Sequence, residues 1–453
     1  MSKFNNKPTY TKEVLLPKHL DITVKEANQL KEFQIDDIIE LIRIRMIELI
    51  ENNHPPFSSG LSEEKIIENL KKLNFDNKNK LYKPILASRI YRSTDLSLAD
   101  GILKHSHSSA SAINHWFFEM FKSKVASGLN PLTQFYNTDM FNRNMNAVIK
   151  KNKFGILLNH PDYKLSKCLD AFRIINGAKP VYNYPPDLAK WIYLRNAKRI
   201  KSDSKDYNIL DTSIGWGSRL AGALAACNSK ELKDKTVRYF GTDVNSSIFD
   251  QYRKFLSYWI KNINPKIKFK FYNAKLPAEE ILNDEYMAKY INKFDIAFTS
   301  PPYFSCEQYS DDEGQSYIKY PQYDVGGENS WREGFLKKMI ENTFKLLKPG
   351  GEFWLNIANI RNNENITKSP MIYLEDDAMK YAKSAGFKHI WTYKMELKNI
   401  YNITEKQRRK SSSKRKTDFN NVLYILDENL EIKQIKYEPI FVFQKPLENN
   451  NEL

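Results

Sequence analysis

The chain has 453 residues, 41% of them apolar and 27% charged, enough for two or three domains with cores of their own. It shows no apolar run of about 18 residues, a polar start, and only three scattered cysteines, Cys168, Cys227 and Cys306. That excludes a membrane span, a disulfide framework and a zinc knuckle, and it suits a reducing cytoplasm. Seventy Lys and Arg against 54 Asp and Glu leave a net charge of +16, which suits a polyanionic partner.

Residues 1–175 read as a mostly helical domain, with target recognition open to it. Ile38, Ile39, Ile42, Met46, Leu49 and Ile50 recur at helical spacing until Pro55 and Pro56 stop the pattern. A second helix starts near Ser62, a fitting N-cap, with Glu63 and Glu64 in its first turn, and turns Ile66, Ile67, Leu70 and Leu73 inward. Trp116, Phe117, Phe118 and Phe121 predict another apolar helical face. His105, His107 and His115 have no carboxylate or cysteine at ligand spacing, so no metal is assigned.

From residue 176 to 446 the pattern changes to alternating strands and helices, which predicts a doubly wound, mostly parallel sheet. A strand ending at Asp211 runs into Ser213, Gly215 and Gly217, a tight turn before a small-residue helix over 218–226. Glycine there allows positive φ or close approach of the backbone to a ligand. A second strand ends at Asp243, near the interval of about 20 residues at which an acid holds ribose hydroxyls in nucleotide sites. Further strands are predicted over 267–273, 353–357, 389–397 and 438–444, and helices over 246–260, 277–291 and 374–385. The last strand follows a hairpin over 425–432, and 447–453 is a polar tail.

One more strand, Ile296 to Phe298, stops abruptly at Ser300, Pro301, Pro302 and Tyr303. Two prolines lack N–H donors and cannot continue the ladder, so carbonyls, a hydroxyl and an aromatic face collect at a strand's carboxyl end. Such a group can accept both hydrogens of an exocyclic amine and stack on a flat heterocycle. A merely proline-stiffened loop is the plain alternative.

Taken in order, these motifs resemble the S-adenosylmethionine-dependent DNA amino-methyltransferases of the adenine-N6 and cytosine-N4 type, in the standalone form of phages and bacteria. The resemblance covers about residues 178–445. It implies a Rossmann-like methyltransferase fold with an antiparallel last strand, S-adenosylmethionine as cofactor, and a flipped-out base in double-stranded DNA as substrate. It carries cofactor contacts onto Tyr184, Pro185, Asp211, Ser213, Gly215, Gly217 and Asp243, and catalysis onto Ser300, Pro301, Pro302 and Tyr303. Asn273 stands where the family often places an acid against adenine. No Pro-Cys dipeptide is present for carbon-5 methylation, and Cys306 reads as a small packing residue.

An insertion over 404–418 carries Lys406, Arg408, Arg409, Lys410, Lys414, Arg415 and Lys416, with no acid between Lys406 and Lys416. It reads either as a solvated loop or as a grip on phosphates. RNA or protein glutamine methylation, and a non-catalytic nucleic-acid-binding protein on the same fold, are the alternatives to DNA methylation. No membrane partner is implied, and a partner nuclease cannot be read from the sequence.

Overall fold

The computed structural model describes residues 181–200, 204–304, 306–361, 371–397, 422–426 and 432–447. It also describes 63–75, 81–82, 102–103, most of 105–150 and scattered positions between 40 and 52. The basic insertion lies outside the described residues.

Helix α1 (Glu63–Phe75) opens on two acids and buries Ile66, Leu70 and Leu73, as its spacing predicts. Its last carbonyls are satisfied from a distant helix: the buried Lys190 ammonium donates to Leu73 O at 2.8 Å and Asn74 O at 3.0 Å. The apolar face expected around Trp116 is split between α2 (Ser108–Asn114) and a 3₁₀ turn, Phe118–Lys122. Tertiary packing decides this. Trp116 and Phe117, adjacent in sequence, both pack on the helix Phe249–Asn262, Trp116 on Phe255 and Tyr258 and Phe117 on Tyr252 and Phe255, which neighbours on one α-helix, turned about 100° apart, do not do. Helix α3 (Thr138–Lys150) follows.

Next comes α4 (Pro186–Ile200), with proline and Asp187 in its first turn. It is followed by β1 (Asp206–Asp211), α5 (Ser218–Ala226), β2 (Thr236–Asp243), α6 (Phe249–Asn262) and β3 (Phe269–Lys275). Strand β4 (Phe294–Thr299) precedes a π-helical stretch, Trp331–Lys337, that leads into α7 (Lys338–Leu346). The chain then forms β5 (Leu347–Asn356), α8 (Leu374–Ser384), β6 (Lys388–Leu397) and β7 (Ile432–Gln444). The helix expected over 277–291 is instead a 3₁₀ turn, Ala278–Asn283, and a short helix, Glu285–Ala288. Asp284 breaks it by accepting from Met287 N at 2.9 Å, which restarts the helix.

The seven strands lie in the order 3-2-1-4-5-7-6, parallel except for β7, which runs antiparallel to both neighbours. This is the Rossmann-like methyltransferase fold. The hairpin is present as well, Val422–Leu426 pairing with the first part of β7.

Alternate strand residues divide into two cores. Ile209, Ile296, Phe298 and Trp354 face α4, α5 and α6, and Leu210, Ala297, Phe353 and Leu355 face α7 and α8. The amino-terminal elements share the first core, and Ile102–Leu103 adds a short parallel strand beside β6. Helices α4 and α5 touch at Gly222, where a Cβ would stand 2.6 Å from Ala189 Cβ.

Candidate cofactor and substrate site

Strand order reverses between β1 and β4, which pair in parallel through Ile209 with Ile296 and Leu210 with Ala297. Ligands of open α/β sheets bind at the carboxyl ends flanking such a switch point. The glycine turn leaves β1 there and the Ser300–Tyr303 tetrapeptide leaves β4. Two motifs far apart in sequence are therefore neighbours in space.

Asp211 organises the turn from within. Its buried carboxylate accepts from Arg219 Nε at 2.8 Å and Nη2 at 3.2 Å, from Tyr239 Oη at 2.6 Å and from Ser213 N at 3.2 Å. Burial weakens the hold of Arg219 on its proton, but the Asp211 charge outweighs that and the guanidinium pKa is raised. Burial, then the Asp211 charge, push the Tyr239 hydroxyl well up, so it stays a donor. Arg219 also donates to Ser213 O. With both oxygens engaged, Asp211 acts by shaping the turn.

Gly215 and Gly217 have φ of +59° and +76°. The Gly215 N–H donates to Asp243 Oδ2 at 3.0 Å, and its carbonyl accepts from Tyr252 Oη at 2.5 Å. Around Gly215 there is room: a Cβ added there would find its nearest neighbour, Ser213 O, 3.7 Å away. A Cβ on Gly217 would lie 2.5 Å from the Phe117 ring. The close approach that makes glycine necessary at Gly217 is thus to an amino-terminal aromatic.

Asp243 accepts from Gly215 N and from Asn245 N at 3.0 Å, and among the described residues no cation pairs with it. Burial pushes its carboxyl up, and the two N–H bonds draw it partly back. It does not cap the next turn. That role falls to Asn245, whose Oδ1 accepts from Ser247 N at 3.2 Å. In the same part of the sheet, Thr212 Oγ1, Ser218 Oγ, Thr242 Oγ1, Thr299 Oγ1 and Asn273 Nδ2 are buried without a hydrogen-bond partner among the described residues. Each unmade bond costs about 1–3 kcal/mol. Five together, at the ends of β1 to β4 and the start of α5, are the donor and acceptor set a polar nucleoside cofactor would satisfy.

In the tetrapeptide, Pro301 is buried and Ser300 and Tyr303 are half-buried. The Tyr303 hydroxyl donates to Asn356 O and Glu438 Oε2, both at 3.3 Å. Beyond it the backbone turns through Phe304 at φ +48°, held by packing on Tyr323 and Trp331. A non-glycine residue in that region costs about 1–3 kcal/mol, and such strain gathers at functional sites. Cys306 donates its N–H to Tyr303 O at 3.0 Å, closing this turn. Tyr184 packs edge-on against Phe298 at 5.2 Å, under the Arg219 guanidinium at 5.9 Å, with its hydroxyl buried and unpartnered among the described residues. Burial keeps that hydroxyl protonated. Pro185 O accepts from Ala189 N and starts α4.

The structure therefore gathers Tyr184, Pro185, Asp211, Ser213, Gly215, Gly217, Asp243, Asn273 and the tetrapeptide at one end of the sheet. Phe117 and Glu438 join them unforeseen. Glu438 had one signal, a carboxylate two residues ahead of the apolar run that begins at Ile440. Phe117 had none, since an aromatic in a helical region reads as core.

No protein-family model matches the chain, and no curated protein matches it. Solved structures do. An S-adenosylmethionine-dependent methyltransferase from Methanosarcina mazei is 14% identical over 55% of this chain and 98% of its own, with a TM-score of 0.29. The phosphoethanolamine N-methyltransferase 2 of Haemonchus contortus, solved with phosphomonomethylethanolamine and S-adenosylhomocysteine, is 15% identical over 56% of this chain and 52% of its own, at 0.28. The cyclase SpnF is 13% identical over 57% and 81%, at 0.30. The fold assignment rests on strand order, not on these likenesses.

Proposed function

We propose that this protein transfers a methyl group from S-adenosylmethionine to the exocyclic amine of a flipped-out base in double-stranded DNA. What carries the proposal is the meeting of the glycine turn, Asp243 and the Ser300–Tyr303 tetrapeptide at one switch point, with orphaned polar atoms at the same strand ends. Asp243 would take the ribose hydroxyls, Asn273 and Thr242 the adenine end, and Tyr184, Thr212 and Ser218 the amino-acid end. Bound there, the cofactor supplies an already activated sulfonium methyl.

The work left to the chain is placement. Ser300 Oγ and Pro301 O accept the two amine hydrogens, which turns the nitrogen lone pair outward. Tyr303, its hydroxyl anchored, offers its ring to the base. Positioning of this kind lowers a barrier by roughly 7–11 kcal/mol. Extruding the base costs a few kcal/mol, and stacking on Tyr303 offsets about 1–3 kcal/mol. The net charge of +16 and the basic insertion support a nucleic-acid acceptor over a small amine. Serine at the head of the tetrapeptide favours cytosine-N4 over adenine-N6.

The test is incubation with methyl-labelled cofactor and separate DNA, RNA and protein acceptors, followed by nucleoside mass spectrometry. N4-methylcytosine in DNA is expected. N6-methyladenine would change the base, and label confined to RNA or protein would overturn the DNA assignment.

A further inference from the structure

The amino-terminal stretch from Asn114 to Val125 is tied to the glycine turn, to the residue before Tyr184 and to the segment just past the tetrapeptide. Asn183 Nδ2 donates to Asn114 Oδ1 at 3.1 Å and to Trp216 O at 2.8 Å, joining the stretch to the glycine turn and to the residue before Tyr184. At its other end Lys124 and Val125 pair antiparallel with Gln308 and Glu307, just past the tetrapeptide. Ser123 Oγ donates to Tyr309 O at 3.4 Å. Between these ties the fully buried Phe117 lies against Gly217, 5.4 Å from the ring of Tyr252.

We propose that Phe117 is a positioning residue for the cofactor, and that the stretch around it is a wall of the methyltransferase site. This rests on the cofactor reading above. A turn with two glycines at positive φ has many conformations open to it, so it must be fixed from outside. The Asp211–Arg219 pair fixes its start at Ser213, and the Tyr252 hydroxyl fixes Gly215. Phe117 fixes its end, directly at Gly217 and through its packing on Tyr252. Because the Gly215 N–H is bonded to Asp243, the ribose acid follows the turn. Loss of the ring leaves a gap beside Gly217 and loosens the acid's partner without touching the cofactor directly.

The experiment measures S-adenosylhomocysteine affinity by calorimetry and the melting temperature of the free protein for wild type, Phe117→Ala, Phe117→Leu, Gly217→Ala and the Phe117→Ala, Gly217→Ala double variant. Phe117→Ala should weaken binding about tenfold, and Phe117→Leu, which refills most of the gap, about threefold. Gly217→Ala should weaken binding by a smaller factor in the Phe117→Ala background than alone, because the clash with the ring is gone. A folded Phe117→Ala with a lowered melting temperature and unchanged affinity would overturn the inference, since a purely structural role predicts that pattern. If Phe117→Ala does not fold, Phe117→Leu decides alone: weakened binding at an unchanged melting temperature supports the inference, and unchanged binding overturns it. Wild-type protein that does not bind S-adenosylhomocysteine would overturn the cofactor reading itself, an outcome visible before any variant is made.

Discussion

Buried carboxylates of the central sheet are held in two opposite ways: Glu352, Asp295 and Asp211 are paired with a cation, and Asp243 is not. At the amino end, Glu352 is paired with Arg199 Nε at 3.0 Å and accepts from Asn196 Nδ2 at 2.9 Å and Trp354 Nε1 at 2.8 Å. Asp295 is paired with Lys348 and accepts from Asn208 N at 2.8 Å. At the carboxyl end, Asp243 has two backbone N–H groups and, among the described residues, no cation paired with it. A paired buried charge holds the fold together, whereas an unpaired one, kept charged mainly by N–H groups, is held ready for a ligand.

The sharpest separation of the two kinds comes from Glu352→Ala. Removing the acceptor strands three donors and should cost about 3–5 kcal/mol in denaturant unfolding, while S-adenosylmethionine affinity of the folded fraction stays the same. Next in size is Tyr303→Ala, which should lower methyl transfer by the equivalent of about 1–3 kcal/mol and leave cofactor affinity intact. A parallel loss of cofactor binding would place Tyr303 in the wrong half of the site.

Asp243→Asn should do the converse, weakening S-adenosylmethionine about tenfold with little change in melting temperature. The sign of its stability effect follows from the raised carboxyl pKa. The acid contributes stability below its unfolded pKa and loses it as pH rises through the folded value, so at neutral pH its replacement removes a destabilising charge. The smallest effect is the pH dependence of binding. Affinity should fall on acidification with an inflection above the ordinary aspartate value of about 3.9, and titration calorimetry should find that inflection missing in Asp243→Asn.

Much of this was legible in the sequence because strand ends punctuate it. Asp211, Asp243 and Thr299 each close an apolar run, and glycine or proline follows at the two that carry motifs. Gly386, with φ of +101°, ends α8 where expected. What stayed hidden depends on long-range packing. Periodicity treated Trp116 to Phe121 as one helical face, but the adjacent Trp116 and Phe117 both turn onto α6, and Phe118 pairs with Phe121 in a 3₁₀ turn. The glycine pair announced a close approach without saying to what. Asn245, two residues past Asp243, took the capping role that an aspartate there could have filled.

The parallel pairing of Ile102–Leu103 with Lys394 and Met395 joins positions about 290 residues apart, a long closure for any chain to make. Synthesis runs from the amino end, so Trp116 and Phe117 leave the ribosome well before Gly217, Tyr252 and Phe255, the groups that bury them. Until α6 is made, this aromatic stretch is bare. The nascent protein therefore passes through an interval in which the wall of its own site is sticky surface, open to chaperones and to misassociation with other chains.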